Sequence, residues 1–276
     1  MKVGYVIRNS GEAAITSVRS MPHIAEELGF AAVWLTDHVI GLRSFAPVYE
    51  PEWAEILASL SHMAATTSSI RLGTGVLVVP YRDPVLTAKM IATIDQLSEG
   101  RVILGIGTGW SKGEYAALGR LDHFDARGRV TDEALDVMVA CWRGERLAWN
   151  GTAFNFRDIT FAPTTVQRPH PAIWVGGQTG PAIRRAARIG DAWHPTNIPP
   201  AEVARLGDRL DASTDRRVPR TIRLGVPADE IDGVEDLLSQ YEEAGCVEAA
   251  IQIRHSDYDY EVQLDLMRKL AKRVAR

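Results

Sequence analysis

The chain has 276 residues, 46% hydrophobic and 24% charged, with a net charge of −4, a balance that supports a sizeable core and excludes disorder as the default. A pI near 6.0 leaves no global basic field, so neither nucleic acid nor anionic lipid is an expected partner, and any anion must be held locally. Cys141 and Cys246 lie far apart without a CxxC pair and no stretch nears the roughly 18 apolar residues of a membrane span, so we expect a cytoplasmic protein with no leader peptide and two reduced thiols.

Apolar, β-branched runs occur at residues 3–7, 32–36, 70–75, 102–107, 172–175, 191–194, 222–226 and 249–253. Helical patterns such as DPVLTAKMIATIDQLSEG separate them, as in repeated β-α units on a parallel sheet. Eight units in a chain close to the ~250 residues typical of the fold predict an α/β protein: a single (β/α)8 TIM barrel spanning residues 1–276. One connection is long: residues 144–171, GERLAWNGTAFNFRDITFAPTTVQRPHP. Connections of this length are usually functional or lid-like, and we read it as an insertion beside the barrel mouth.

In this fold the reactive groups sit at the C-terminal ends of the strands. The second strand runs WLTDHV and ends on Asp37 and His38, a pair too costly to bury unless hydrogen-bonded. With an unperturbed pKa of roughly 6.5, His38 can move a proton or hold a cofactor ring; capping local backbone is the other reading. The third strand leads into RLGTGVLVVPYRDP. Gly73 and Gly75 flank Thr74 and precede Val76, so that either a flat ring approaches the backbone or the barrel needs small inward residues, the latter being the simpler account. The fourth, RVILGIGTGWSKGEY, has glycine at 105, 107 and 109. Trp110 stands where the third glycine of GxGxxG would fall, which disfavours a dinucleotide site. The Cβ-free face leaves room for a broad planar group, with Trp110 available to stack.

The fifth strand ends AIWVGGQTGPAIRRAARIG. Gly176, Gly177 and Gln178 precede a helix starting near Pro181, whose free N–H groups suit a phosphate. Arg184, Arg185 and Arg188 lie on that helix, although an exposed arginine face is the commoner cause of such a cluster. His194 ends the sixth strand as a second proton carrier or a packing residue. His23, His62, His123, His170 and His255 form no pattern, and the basic tail RKLAKRVAR reads as a solvated helix face.

Together AEELGFAAVWLTDHV, IRLGTGVLVVPYRDPVLTAKMIATIDQLSEGRVILGIGTGW, RGRVTDEALDVMVACWRG and PAIWVGGQTGPAIRRAARIGDAW resemble the luciferase-like superfamily, more closely its branch that uses the deazaflavin coenzyme F420. The resemblance covers residues 1 to about 195 in matching order and is looser beyond. It implies a (β/α)8 barrel, usually homodimeric, with a deazaflavin or FMN at the strand ends. A non-prolyl cis peptide at Gly75–Val76, next to Thr74, would support the back of the ring. Gly107, Thr108, Gly109 and Trp110 would line it, and Gly176, Gly177, Gln178 and Arg184 would meet the phosphate. Asp37 and His38 would stand beside the reactive ring, with His38, or secondarily His194, moving the proton.

One departure matters. The branch that oxidises glucose 6-phosphate carries a glutamate where this chain has Trp110, so a different small organic substrate is expected, apolar or aromatic, packed on Trp110 and Trp34 or under the insertion. The activity implied is hydride transfer between coenzyme F420 and that substrate; the alternative is an FMN monooxygenase using reduced flavin and oxygen. A non-catalytic flavin-binding protein would look the same in sequence, whereas a metal-dependent hydrolase needs an HxH on the first strand, which here ends IRNS.

Overall fold

The computed structural model describes residues 1–41, 52–144, 146–256 and 259–274. Strands β1 (Lys2–Val6), β2 (Ala32–Leu35), β3 (Arg71–Thr74), β5 (Val102–Gly107), β8 (Ala172–Gly176), β9 (Ala192–His194), β10 (Arg220–Pro227) and β11 (Cys246–Arg254) are parallel staves. The sheet closes on itself through pairing of β3 with β5, and β4 (Leu77–Val78) adds a two-residue rung on β5. All eight strands expected from the sequence are present, and the chain is an α/β TIM barrel. Among the described residues no helix is long and apolar enough to cross a membrane.

Around the barrel run α1 (Ala14–Glu27), α2 (Ile56–Thr66), α3 (Pro84–Leu97), α4 (Lys112–Ala117), α5 (Arg127–Arg143), α6 (Gly180–Ile189), α7 (Pro200–Asp211), α8 (Val234–Glu243) and α9 (Tyr260–Val274). Local chemistry sets their ends. Asp83 accepts the N–H groups of Val85 and Leu86 at 2.9 and 3.0 Å, with Pro84 pre-set for the first turn of α3. The longer α5 stops at Gly144, whose φ of 77° is the left-handed conformation that glycine adopts without cost.

Two hydrophobic layers result. The larger lies between staves and helices. The smaller fills the barrel and is built around Trp34, which is fully buried, stacked on His194 at 5.0 Å between ring centroids and tilted against Trp174, also at 5.0 Å. A Cβ on Gly73 would overlap the Trp34 indole, and one on Gly105 would strike the Thr74 carbonyl. These two glycines therefore serve internal packing, in keeping with the simpler account of Gly73, and the planar group beside them is the chain's own indole. Trp34 lies beneath the barrel top, so the expectation that a substrate packs on it is corrected.

The segment 144–171 also differs from its reading. It contains a hairpin, β6 (Arg146–Asn150) antiparallel to β7 (Asn155–Thr160). Because it follows a helix rather than a strand, it leaves from the N-terminal face of the barrel and lies along the outer wall. Glu133 of α5 accepts the backbone N–H groups of Thr152, Ala153 and Phe154. Lys89 of α3 donates to the Ala162 carbonyl, and Asp95 accepts Val166 and Gln167 N–H at 2.7 and 3.0 Å. No described residue of the segment lines the cavity at the strand C-termini.

Candidate active site

The C-terminal ends of β2, β3, β5, β8 and β10 surround an open cavity of about 660 Å³, within the range of small-molecule sites. Asp37, His38, Gly75, Val76, Gly107, Thr108, Gly109, Trp110, Gly176 and Gly177, all anticipated from the sequence, line it. The Gly75–Val76 peptide is cis, as the resemblance implied. The Val76 side chain forms part of the floor: a Cβ on Gly107 would stand 2.5 Å from its Cγ2, and one on Gly176 2.7 Å from its Cγ1.

Four anticipated residues lie elsewhere. Thr74 is buried, its hydroxyl donating to the Gly105 carbonyl at 2.7 Å. Gln178 and Arg184 are exposed and outside the cavity; on α6 it is Arg185, one residue on and turned inward, that reaches the lining. His194 sits inside the barrel. Its Nδ1 is 2.8 Å from the Thr221 hydroxyl, which itself donates to the Trp193 carbonyl, so Nδ1 carries the proton. Burial, with the nearby Arg223 charge second, pushes this imidazole down to about 3. It stays neutral, away from the cavity, and its assignment as a proton carrier is withdrawn.

Asp37 has a different task from the one expected. Its two oxygens take a fork from Arg82 at 2.6 and 2.9 Å, and the backbone N–H of Val78 at 2.8 Å. Arg82 also donates to Glu55 at 2.8 Å, and Glu55 caps α2 by accepting Ala58 N–H at 2.7 Å. Burial works against the Asp37 anion while the guanidinium fork and the N–H favour it, and the bidentate geometry is that of an ion pair. The carboxylate fastens the end of β2 to β4 and α2 rather than reaching into the cavity.

His38 is partly exposed at the rim. Its Nδ1 lies 3.0 Å from Glu114 Oε2, and its ring packs between Trp53 at 4.5 Å and Trp110 at 5.9 Å. Glu114, on α4, is almost fully buried; it also accepts Val39 N–H at 2.9 Å and the Tyr81 hydroxyl at 3.1 Å. Burial alone would raise this carboxyl, but His38, the Val39 N–H and Tyr81 together hold it below the ordinary carboxylate value.

The opposite wall is positive. The N-terminal turns of α5 and α6 both face the cavity, through Arg127 and Gly128 on one and Thr179 and Pro181 on the other. Neither helix has an acidic residue in its first turn or a side chain capping its N–H groups. Both positive dipole ends thus converge on one region. Arg185 stands between them, anchored to Asp132 at 2.7 Å and to the Gly128 carbonyl at 2.9 Å, while Asp125 is an acid on the same rim. This donor set fits a phosphate, and the backbone of Gly107 and Gly177 lines the cavity beside it.

A family model of luciferase-like monooxygenases matches residues 1–272. The chain belongs to that family. Proteins similar to it include an FMNH2-dependent dimethylsulfone monooxygenase of Pseudomonas putida, 32% identical over 65% of this chain and 48% of the relative. An F420-dependent glucose-6-phosphate dehydrogenase of Amycolatopsis mediterranei is 30% identical over 87% of this chain and 65% of its own. The luciferase-like chain thus spans just under half the length of the first relative and just under two thirds of the second. In fold it also matches an F420-dependent secondary alcohol dehydrogenase solved with an F420–acetone adduct, with a TM-score of 0.80 and 15% identity over 99% of this chain and 97% of that one.

Proposed function

We propose that this luciferase-like protein is an oxidoreductase that binds coenzyme F420 at the top of its barrel and transfers hydride between the deazaflavin and a small organic substrate. The observation that carries the reading is the convergence of two uncapped helix N-termini on a glycine-lined cavity that has His38 at its rim. In this reading the first turns of α5 and α6, with Arg127 and Arg185, hold the phosphate; Gly107, Gly109, Gly177 and Val76 bound the ring; His38 exchanges the proton. When bound, the coenzyme supplies the hydride chemistry. The F420-dependent relative, aligned over 87% of the chain, supports this cofactor.

The dimethylsulfone monooxygenase relative favours a second reading, reduced FMN with oxygen, at the same site. The arginines of α6 do not decide between them: Arg185 and Arg188 are already paired with Asp132 and Asp136, so they provide little net charge for a polyglutamyl tail. Trp53 and Trp110 beside His38 support an apolar or aromatic substrate. The homodimer remains part of the proposal, supported by the outer face of α3, where Leu86 and Leu97 are 59% and 60% exposed. A cytoplasmic setting is supported by two cysteines held apart as buried thiols.

Titrating the purified protein with coenzyme F420 and, separately, with FMN, followed by fluorescence quenching, tests the cofactor. Saturable binding of F420 without binding of FMN is expected. FMN binding alone selects the monooxygenase reading, and binding of neither overturns both.

A further inference from the structure

We propose that Glu114 is the positioning residue of this site: it holds the His38 imidazole as the Nδ1–H tautomer, which makes Nε2 the nitrogen that exchanges a proton at the cavity. The proposal rests on the reading of His38 as the proton carrier and adds to it the buried group that sets its working form.

The geometry of Glu114 leaves little choice of tautomer. Three groups converge on its carboxylate: Val39 N–H on Oε1, and both the Tyr81 hydroxyl and His38 Nδ1 on Oε2, at 2.9, 3.1 and 3.0 Å. The first two are donors. Burial and the neighbouring Glu114 charge push the Tyr81 hydroxyl up, so it keeps its proton and gives its hydrogen bond to the carboxylate. An ionised carboxylate has only acceptor sites. A bare Nδ1 lone pair facing it at 3.0 Å would be repulsive, whereas Nδ1–H makes a charge-assisted hydrogen bond. The neutral ring then has its lone pair on Nε2, the state a base needs.

Packing alone does not account for the arrangement. Glu114 is 1% exposed, and an ionised side chain is retained at such a position only when its partners replace water. The sequence SKGE is a capping-box pattern, in which a glutamate reaches back to the backbone N–H of the serine. Ser111 does accept Glu114 N–H at 3.3 Å, but both carboxylate oxygens turn the other way, toward the end of β2. Trp110, where the sugar-phosphate branch carries its acid, is 52% exposed. The acid beside His38 therefore comes from α4, four residues later, and lies behind the ring rather than across the cavity from it.

The full chain labelled with ¹⁵N-histidine tests this directly, without coenzyme or substrate. Two-bond ¹H–¹⁵N spectra at neutral pH, with His38 assigned from its absence in His38→Ala, are expected to show a protonated Nδ1 and a pyridine-like Nε2. An amide at position 114 cannot accept from all three donors, so Glu114→Gln is expected to move His38 toward the Nε2–H pattern, while Tyr81→Phe retains Nδ1–H. An Nε2–H ring in the unaltered protein overturns the proposal, as does an unchanged Nδ1–H ring in folded Glu114→Gln. Should Glu114→Gln not fold, the spectrum of the unaltered protein still decides. The coenzyme titration on the same samples separates the two readings. Absence of binding removes the cofactor assignment and leaves the tautomer result standing, whereas normal binding with the wrong tautomer removes only the role of Glu114.

Discussion

At the scale of single residues the site divides into groups that face the cavity and groups that hold them. His38 is of the first kind. His38→Ala is expected to leave the fold and coenzyme affinity intact while turnover falls on the order of 10²-fold or more, the usual contribution of a positioned acid or base; kinetics unchanged from the native protein would remove His38 from the mechanism. Asp37 and Arg82 are of the second kind, and their ion pair joins positions 45 residues apart. Away from the site, Glu26 shows what carboxylates do for stability. Burial acts to raise it, but the N–H groups of Ile70, Ser69 and Ser68 and the Ser69 hydroxyl hold it at about 2, against an ordinary value of 4.5. Because the folded value is the lower one, its stabilisation is complete above pH 4.5 and is lost as pH falls toward 2. Glu26→Gln should therefore lower stability at neutral pH and flatten the acid limb of a urea-denaturation series across that window.

At the scale of elements, the strand ends carry the prediction. Gly107 and Gly176 accommodate the two methyls of Val76, so Gly107→Ala should overpack the cavity floor, cost about 1–3 kcal/mol and weaken coenzyme binding. Gly233→Ala, where a Cβ meets nothing within 4 Å, is the control that leaves binding unchanged. The hairpin β6–β7 makes the opposite case. Glu133→Ala removes the carboxylate that gathers its turn, and the expected result is faster proteolysis within residues 146–160 with no change in coenzyme affinity.

These elements also mark what the sequence revealed. Period and β-branched content located every stave, and Gly75, Gly107 and Gly177 pointed to the cavity because missing side chains at strand ends are a local signal. Glu114, Arg82 and Trp53 were missed because each acts across a contact distant in sequence, and Arg127 because only the fold brings the start of its helix to the cavity. Arg184 was preferred over Arg185 because helical phase relative to the barrel is not encoded in a short arginine cluster. The course of the hairpin along the outer wall went unread because its length drew attention while its position after a helix did not.

At the scale of the whole molecule, the exposed leucines of α3 bear on assembly. Leu86→Glu should leave the barrel folded and shift the mass measured by light scattering from two chains to one; a native protein already monomeric at working concentration would remove the homodimer from the proposal. Electrostatics acts at the same scale. With a net charge of −4 the chain has no long-range pull on an anion, so attraction is confined to the two helix ends, and raised ionic strength should slow coenzyme association only modestly.

The indole of Trp34 has a last consequence. Lodged between Trp174 and His194 below Val76, it stops the barrel like a cork, and nothing can drain through the far side. On the proposed function, coenzyme and reactant then share one doorway, and whichever arrives second blocks the exit of the first. Turnover under that constraint follows a queue: initial-rate patterns should be those of compulsory order, and a crowd of reactant at the threshold should slow the exchange of spent coenzyme.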